Sequence, residues 1–265
     1  MTPRVPRPGR RVPEALAAAT VLMQIAYPLA AGHPRDLLTI ATVVVFFLAT
    51  TSHALVHRGA RWTGAYVLVT AGTGLVAEGV GTATGVPFGE YAYAGSLGVQ
   101  VLGVPAVVPL AWAMFAYPCL LVGQRLAGTA VGAAVVGGGA LAAWDLFLDP
   151  QMVSAGHWAW RDVRLAFPGA PDVPVSNTLG WLAVGVLMLG VLQLLPRGSA
   201  DRPGTDDRQP LALFLWTYAS SVLAFAVFFH RPLVALVGGV AMGSVALPLA
   251  RSLVRDQAAV PAPAR

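Results

Sequence analysis

Eight apolar stretches, each about the 20 residues needed to cross the hydrocarbon core of a bilayer, dominate this chain. They fall at about 14–32, 37–56, 62–80, 99–123, 126–147, 176–195, 210–229 and 232–250. Hydrocarbon offers no water to an open backbone N–H or C=O, so such stretches fold as helices that satisfy those groups internally. Composition agrees: 56% of residues are hydrophobic and only 11% charged, with a mean hydropathy of +0.67, far from the make-up of a soluble domain. The expected fold is all-α, a polytopic transmembrane bundle of about eight spans. Pro105 and Pro109 fall in the fourth stretch, so that span is expected to begin as a kinked or partly re-entrant element.

The chain has no lysine and 17 arginines, for a formal net charge of +5. These arginines lie in short turns between apolar stretches, with no aromatic-interleaved basic groove, which excludes a nucleic-acid partner. With the amino terminus inside, 13 of the 17 arginines fall on the cytoplasmic side and only Arg35, Arg161, Arg164 and Arg231 outside. That is a positive-inside bias, and it describes a multi-pass cell-membrane protein with both termini cytoplasmic.

One transmembrane domain, 14–250, is expected between a basic cytoplasmic flank, 1–13, and a disordered tail, 251–265. The flank is read as anchoring a retained first helix rather than as a cleaved export signal. Residues 196–209, rich in proline, glycine and charge, read as a polar cytoplasmic linker. The connections GTATGVPFGEYAYAGSLG and QMVSAGHWAWRDVRLAFPGAPDVPVSN are too aromatic for solvated loops and read as re-entrant or capping segments on the outer side. GTAVG and GVAMG carry the small-xxx-small spacing of close helix packing, with a slot for a flat ligand as the alternative. Cys119, the sole cysteine, precludes an internal disulfide or a CxxC metal site.

Ionisable groups at membrane depth are costly and usually functional. In ALAAWDLFLDPQM, Asp145 and Asp149 stand four residues apart, on one helical face. Glu78 lies 17 residues beyond Arg61, about 25 Å along a helix, and so reaches the outer end of span three. Span five ends, and span six begins with Ser176 and Asn177, on that same side. The topology therefore brings Glu78, Asp145, Asp149 and Asn177 to one level beside Phe88, Tyr91, Tyr93, Trp144, Trp158, Trp160 and Trp181. An interfacial aromatic belt, and ion pairing of the acids with Arg161 or Arg164, are the plainer readings. Acids in an oily, aromatic setting also suit chemistry. A carboxylic acid buried among apolar groups stays protonated and can protonate a substrate. Aromatic faces attract a cation, and a hydrated neighbouring carboxylate can take a proton from water. These are the parts needed to protonate an alkene, shelter a tertiary carbocation and add water to it.

The blocks EGVGTATGVPFGEYAY, LGVQVLGVPAVVPLAWAMFAY, AWDLFLDPQMVSAGHWAW and PVSNTLGWL, in that order over residues 62–195, resemble the membrane carotenoid biosynthesis proteins that include the carotenoid 1,2-hydratases. The resemblance implies hydration of the terminal double bond of an acyclic carotenoid end group, of the gamma-carotene or bisanhydrobacterioruberin type. Its implied partners are an acyclic carotenoid, water and the bilayer, with other carotenoid biosynthesis enzymes as candidate associates. Carried onto this chain it marks Glu78, Phe88, Tyr91, Tyr93, Trp144, Asp145, Asp149, Trp158, Trp160, Asn177 and Trp181. On the residues themselves, Asp145 is expected as general acid, Asp149 as the group holding water nearer the surface, and Glu78 as second base or alternative acid. Asn177 and Tyr91 would orient the water, Trp144 and Trp158 would face the cation, and the turn-forming glycines and prolines of GTATGVPFGEY would set Phe88 and Tyr91 over the substrate. No cofactor or metal is expected. His53 and His57 have metal-ligand spacing but no partner histidines on another span, and read as packing groups. His157 is a candidate for positioning water. A carotenoid end-group cyclase or isomerase would start from the same protonation, and a non-catalytic carotenoid carrier is the alternative outside enzymes.

Overall fold

The computed structural model describes residues 11–195 and 206–258. Eight helices long and apolar enough to cross a membrane make up most of it. They are α1 (Arg11–Ala26, continued by a 3-10 turn through Leu29), α2 (His33–Arg58), α3 (Ala60–Thr84), α4 (Val107–Leu126), α5 (Ala130–Ser154), α6 (Val175–Gln193), α7 (Arg208–Leu223) and α8 (Pro232–Ala258). A π-helical turn, Ala224–Phe228, extends α7. The protein is thus a multi-pass membrane protein with an all-α bundle.

Helices α4 and α5 are the most enclosed, and α5 packs chiefly on α6 and α4. Small residues make that approach close. A Cβ on Gly138 would sit 2.5 Å from the backbone nitrogen of Val186 in α6, and one on Gly137 would sit 2.7 Å from the carbonyl of Cys119 in α4. Gly138→Ala is therefore expected to force α5 from α6 and to cost about 1–3 kcal/mol, the usual penalty of overpacking. Thermal unfolding in detergent checks this, with Gly139→Ala as control, since a Cβ there meets nothing within 4 Å. The two sequence-marked motifs pack otherwise. Gly128 of GTAVG has open space around it, whereas a Cβ on Gly239 or Gly243 of GVAMG would meet Val222 or Tyr218 of α7.

Several boundaries differ from the hydropathy reading. Residues 99–106 do not begin span four. They form a hairpin, β2 (Gln100–Val101) with β3 (Val104–Pro105), around Leu102 and Gly103, both at positive φ, as a two-residue primed turn requires. Pro109 then falls in the first turn of α4, where a missing N–H is harmless. Helix α5 runs to Ser154 rather than ending near 147, so both aspartates lie inside it. Helix α8 continues to Ala258, making helical the first part of the expected tail, where Asp256 pairs with Arg125 at 2.5 Å. The expected flank and linker fall largely outside the described residues. Within them, Arg11 to Pro13 belong to α1, and Asp207 at the start of α7 pairs with Arg58 at 3.0 Å.

The two aromatic connections form a β cap rather than re-entrant helices. Strand β1 (Tyr91–Tyr93) from the first pairs antiparallel with β4 (Trp158–Trp160) from the second, Tyr91 opposite Trp160 and Tyr93 opposite Trp158. Directly opposed residues share a face, and side chains alternate with period two, so two phenols and two indoles project to one side. A second hairpin, β5 (Ala166–Phe167) with β6 (Ala170–Pro174), turns on Pro168 and Gly169 and leads into α6. The ends of α3 and α5 and the starts of α4 and α6 all meet beneath this cap.

Candidate active site

Three buried carboxyl groups lie under the cap: Glu78 is 4% exposed, Asp145 1% and Asp149 2%. Their hydrogen-bond partners divide them into two groups. The Glu78 carboxylate accepts from the Tyr93 hydroxyl at 2.7 Å, the Trp112 indole Nε1 at 2.9 Å and the Tyr91 hydroxyl. Three donors and no acceptor converge on it, the surroundings a carboxylate favours. Burial, reinforced by the neighbouring Glu78, raises the Tyr91 and Tyr93 phenols well above their ordinary range. Both remain hydroxyl donors at neutral pH.

Asp145 and Asp149, one helical turn apart on α5, share one ligand. The side-chain nitrogen of Asn177, in the first turn of α6, donates to Asp145 at 2.8 Å and also to Asp149. An amide nitrogen carries two hydrogens, so one Asn177 serves both carboxyls. Asp149 also accepts from the Trp158 indole at 3.2 Å, while Oδ1 of Asp145 is buried without a hydrogen-bond partner. Neither Arg161 nor Arg164 clamps these acids: Arg164 pairs with Asp162 at 3.0 Å, and no ion pair joins an arginine to Glu78, Asp145 or Asp149 among the described residues.

A cavity of about 160 Å³ opens beside them. Glu78, Asp149, Asn177, Tyr91 and Tyr93 line it, as do the indoles of Trp112, Trp144, Trp158, Trp160 and Trp181. Trp112 and Trp181 stack at 3.7 Å with ring planes 10° apart, and Trp144 meets Trp181 edge-on at 6.1 Å. Two expected residues stand elsewhere. Asp145 is not part of the lining and lies behind Asp149 on their common amide. The Phe88 ring is not over the cavity either: it is wedged between α3 and α6, against Gly81 and Gly180, where any Cβ would come within 2.8 Å of it. Phe88 fastens the cap to the bundle, and its carbonyl accepts from Trp160 Nε1 at 3.0 Å.

The expected water-orienting groups are differently engaged, Tyr91 with Glu78 and Asn177 with the aspartates. His157 lies outside the lining and ties cap to bundle, its Nδ1 2.8 Å from Ser96 Oγ and its Nε2 3.8 Å from Asp36. Burial lowers its pKa, against the pull of Asp36. His53 bonds through one ring nitrogen to the Tyr117 hydroxyl and through the other to the Asp206 carbonyl, at 3.1 and 2.9 Å, and stacks on His57. Trp112 went unmarked among candidate site residues, although it lies within one of the quoted blocks. An indole in the middle of a span needs an acceptor for its N–H, and that need was its available signal.

Residues 37–255 match the family described as carotenoid biosynthesis protein. The chain belongs to that family. A bisanhydrobacterioruberin hydratase of Haloarcula japonica is 34% identical over 140 residues. The matched segment spans 49% of this chain and 43% of that relative. No solved structure matches the chain. The buried carboxyl groups and indole walls thus belong to a carotenoid biosynthesis protein.

Proposed function

We propose that this carotenoid biosynthesis protein is a carotenoid hydratase that adds water across the terminal double bond of an acyclic end group. The observation that carries the reading is a single indole-walled cavity lined by two differently partnered carboxyl groups, Asp149 and Glu78. Asp149 is the general acid. Two carboxyls held on one amide in an apolar site hold a proton between them, as acid dyads do, and Asp149 is the member that reaches the cavity. Asp145 is the positioning partner, which reverses the expected order of the pair. The proton of Asp149 bonds to the less substituted alkene carbon using the π electrons, leaving a tertiary cation beside the Trp112–Trp181 stack and Trp144. Aromatic faces stabilise such a charge.

Water then bonds through an oxygen lone pair to the cationic carbon, and its surplus proton goes to Glu78, whose three donors favour the carboxylate beforehand. Return of that proton to the aspartate pair restores the enzyme. Every step is a proton transfer or a carbon–oxygen bond, so the proposed cycle uses no cofactor. Size is compatible with an end-group reaction: an engineered cavity of about 150 Å³ holds benzene, so one of about 160 Å³ has room for the end of a polyene. The orientation proposed is cap outward with cytoplasmic termini, because Arg58, Arg61, Arg125, Arg251 and Arg255 all lie at the helix ends opposite the cap and arginine collects on the cytoplasmic side.

Expression in cells that accumulate lycopene or another acyclic carotenoid, followed by mass analysis of the pigments, tests the function. A product heavier by one or two waters is expected. A product of unchanged mass with a ring or a shifted double bond would make the protein a cyclase or isomerase, and unaltered pigment would leave a carrier.

A further inference from the structure

The cavity does not end at the acids. It continues between α1, α2 and α7, where Gln24, Tyr27, Thr42, Thr217, Ser220 and Ser221 line it. Three hydroxyls at this second end, Tyr27 Oη, Thr42 Oγ1 and Thr217 Oγ1, are buried and have no hydrogen-bond partner among the described residues. Tyr27 is 8% exposed and Thr217 3%. Thr20, Thr50 and Thr70, and Thr39 within the lining itself, each bond to a carbonyl one turn back in their own helix, the default for a threonine in an apolar helix, while Thr51 and Thr178, away from the cavity, share the unpartnered state. Thr42 and Thr217 forgo that bond while lining a cavity.

The backbone is opened at the same place. The π-helical turn Ala224–Phe228 begins three residues after Ser221, and Ala224 and Phe229 line the same cavity. Such turns widen a helix and recur at functional sites. The chemistry of the lining narrows the occupant. Among the described residues no arginine or histidine lines the cavity, so none of them recognises an anion there, and a hydrocarbon chain has nothing to offer a hydroxyl. Neutral groups that both donate and accept, several within one small space, match water, which occupies buried sites with two to four polar partners.

We propose that the hydroxyl end formed by Tyr27, Thr42 and Thr217 is a water-binding site that stores the nucleophile for the acid end of the same cavity. As a supply line this rests on the hydratase reading. As a water site it stands apart from it. The stored molecule moves toward Asp149 and Glu78 once the end group is in place, its oxygen bonds to the tertiary cation and its proton passes to Glu78. A separate entry for water lets the hydrocarbon close the cap end without excluding the second reactant.

Radiolytic hydroxyl footprinting of the full-length, pigment-free protein in H₂¹⁸O tests the site. Tyr27 is expected to take up ¹⁸O although buried, whereas Tyr66, fully buried with its hydroxyl on the Ala113 carbonyl, stays unlabelled. The isosteric pair Thr42→Val and Thr217→Val should reduce Tyr27 labelling at least fivefold and hydrated product about tenfold. In D₂O the same variant should still wash deuterium into recovered alkene, because protonation is intact. Tyr27 remaining as unlabelled as Tyr66, or labelling unchanged in the double variant, overturns the water site whatever the pigments show. Labelled Tyr27 with no hydrated product from the wild type upholds the water site and removes the hydratase reading alone.

Discussion

Asp149→Asn is expected to reduce hydrated product by about 10³-fold, within the range that loss of a general acid produces, while the protein remains in the membrane. Asparagine keeps the size of the side chain and an acceptor oxygen for Trp158, 3.2 Å away, so the loss would be of the proton rather than of the fold. Asp145→Asn is the discriminating companion. Asp145 sits behind Asp149 and shares the Asn177 amide, so its replacement alters how tightly the pair holds its proton without removing the donor. A loss of about tenfold to a hundredfold is expected there. Pigment mass analysis at equal protein level reads both. Normal yield from Asp149→Asn would remove it as the acid, and a larger loss from Asp145→Asn would restore the order that depth alone suggests.

That reversal shows what linear spacing can and cannot carry. Four residues on a helix place Asp145 and Asp149 on one face, and apolar length set the eight helices. The positions of Glu78 and Asn177 followed from counting crossings. Which aspartate reaches the cavity depends on where α5 ends and how α6 lies against it. The hydropathy of the stretch falls at the acids themselves, so α5 read as stopping near 147 although it continues to Ser154. Buried carboxyls inside an apolar helix imitate a helix end.

The cap was hidden for a different reason. YAY and WAW carry the period of two that a strand requires, yet each is only three residues long. Their pairing joins loops that the sequence separates by two whole helices. The same is true of the hydroxyl end. Thr42 and Thr217 look like any threonine in a span until their own helix carbonyls are seen to be ignored. The acid level of the site was legible because charge in a membrane is rare. Its neutral donors, Trp112 above all, are common residue types, and only their partners distinguish them.

Glu78→Gln should separate the two proton transfers. The two phenols can turn to accept from the new amide NH₂, while Trp112 Nε1, 2.9 Å away, still finds the remaining oxygen. The fold should therefore survive with a loss of about 1–3 kcal/mol, the scale of one poorly satisfied buried group. Hydration should fall at least about 100-fold, because no carboxylate remains to accept the proton of the attacking water. Trp112→Phe removes one of the three donors and most closely preserves the ring stack on Trp181; a fall of about tenfold is expected from a hydrogen bond to a charged group. Deuterium distinguishes the roles. In D₂O, Glu78→Gln should still exchange deuterium into recovered alkene, since Asp149 protonates and the cation collapses back, whereas Asp149→Asn should neither exchange nor hydrate. Loss of exchange in Glu78→Gln as well, in protein of normal thermal midpoint, would make Glu78 the acid and leave the aspartate pair to take the proton from water.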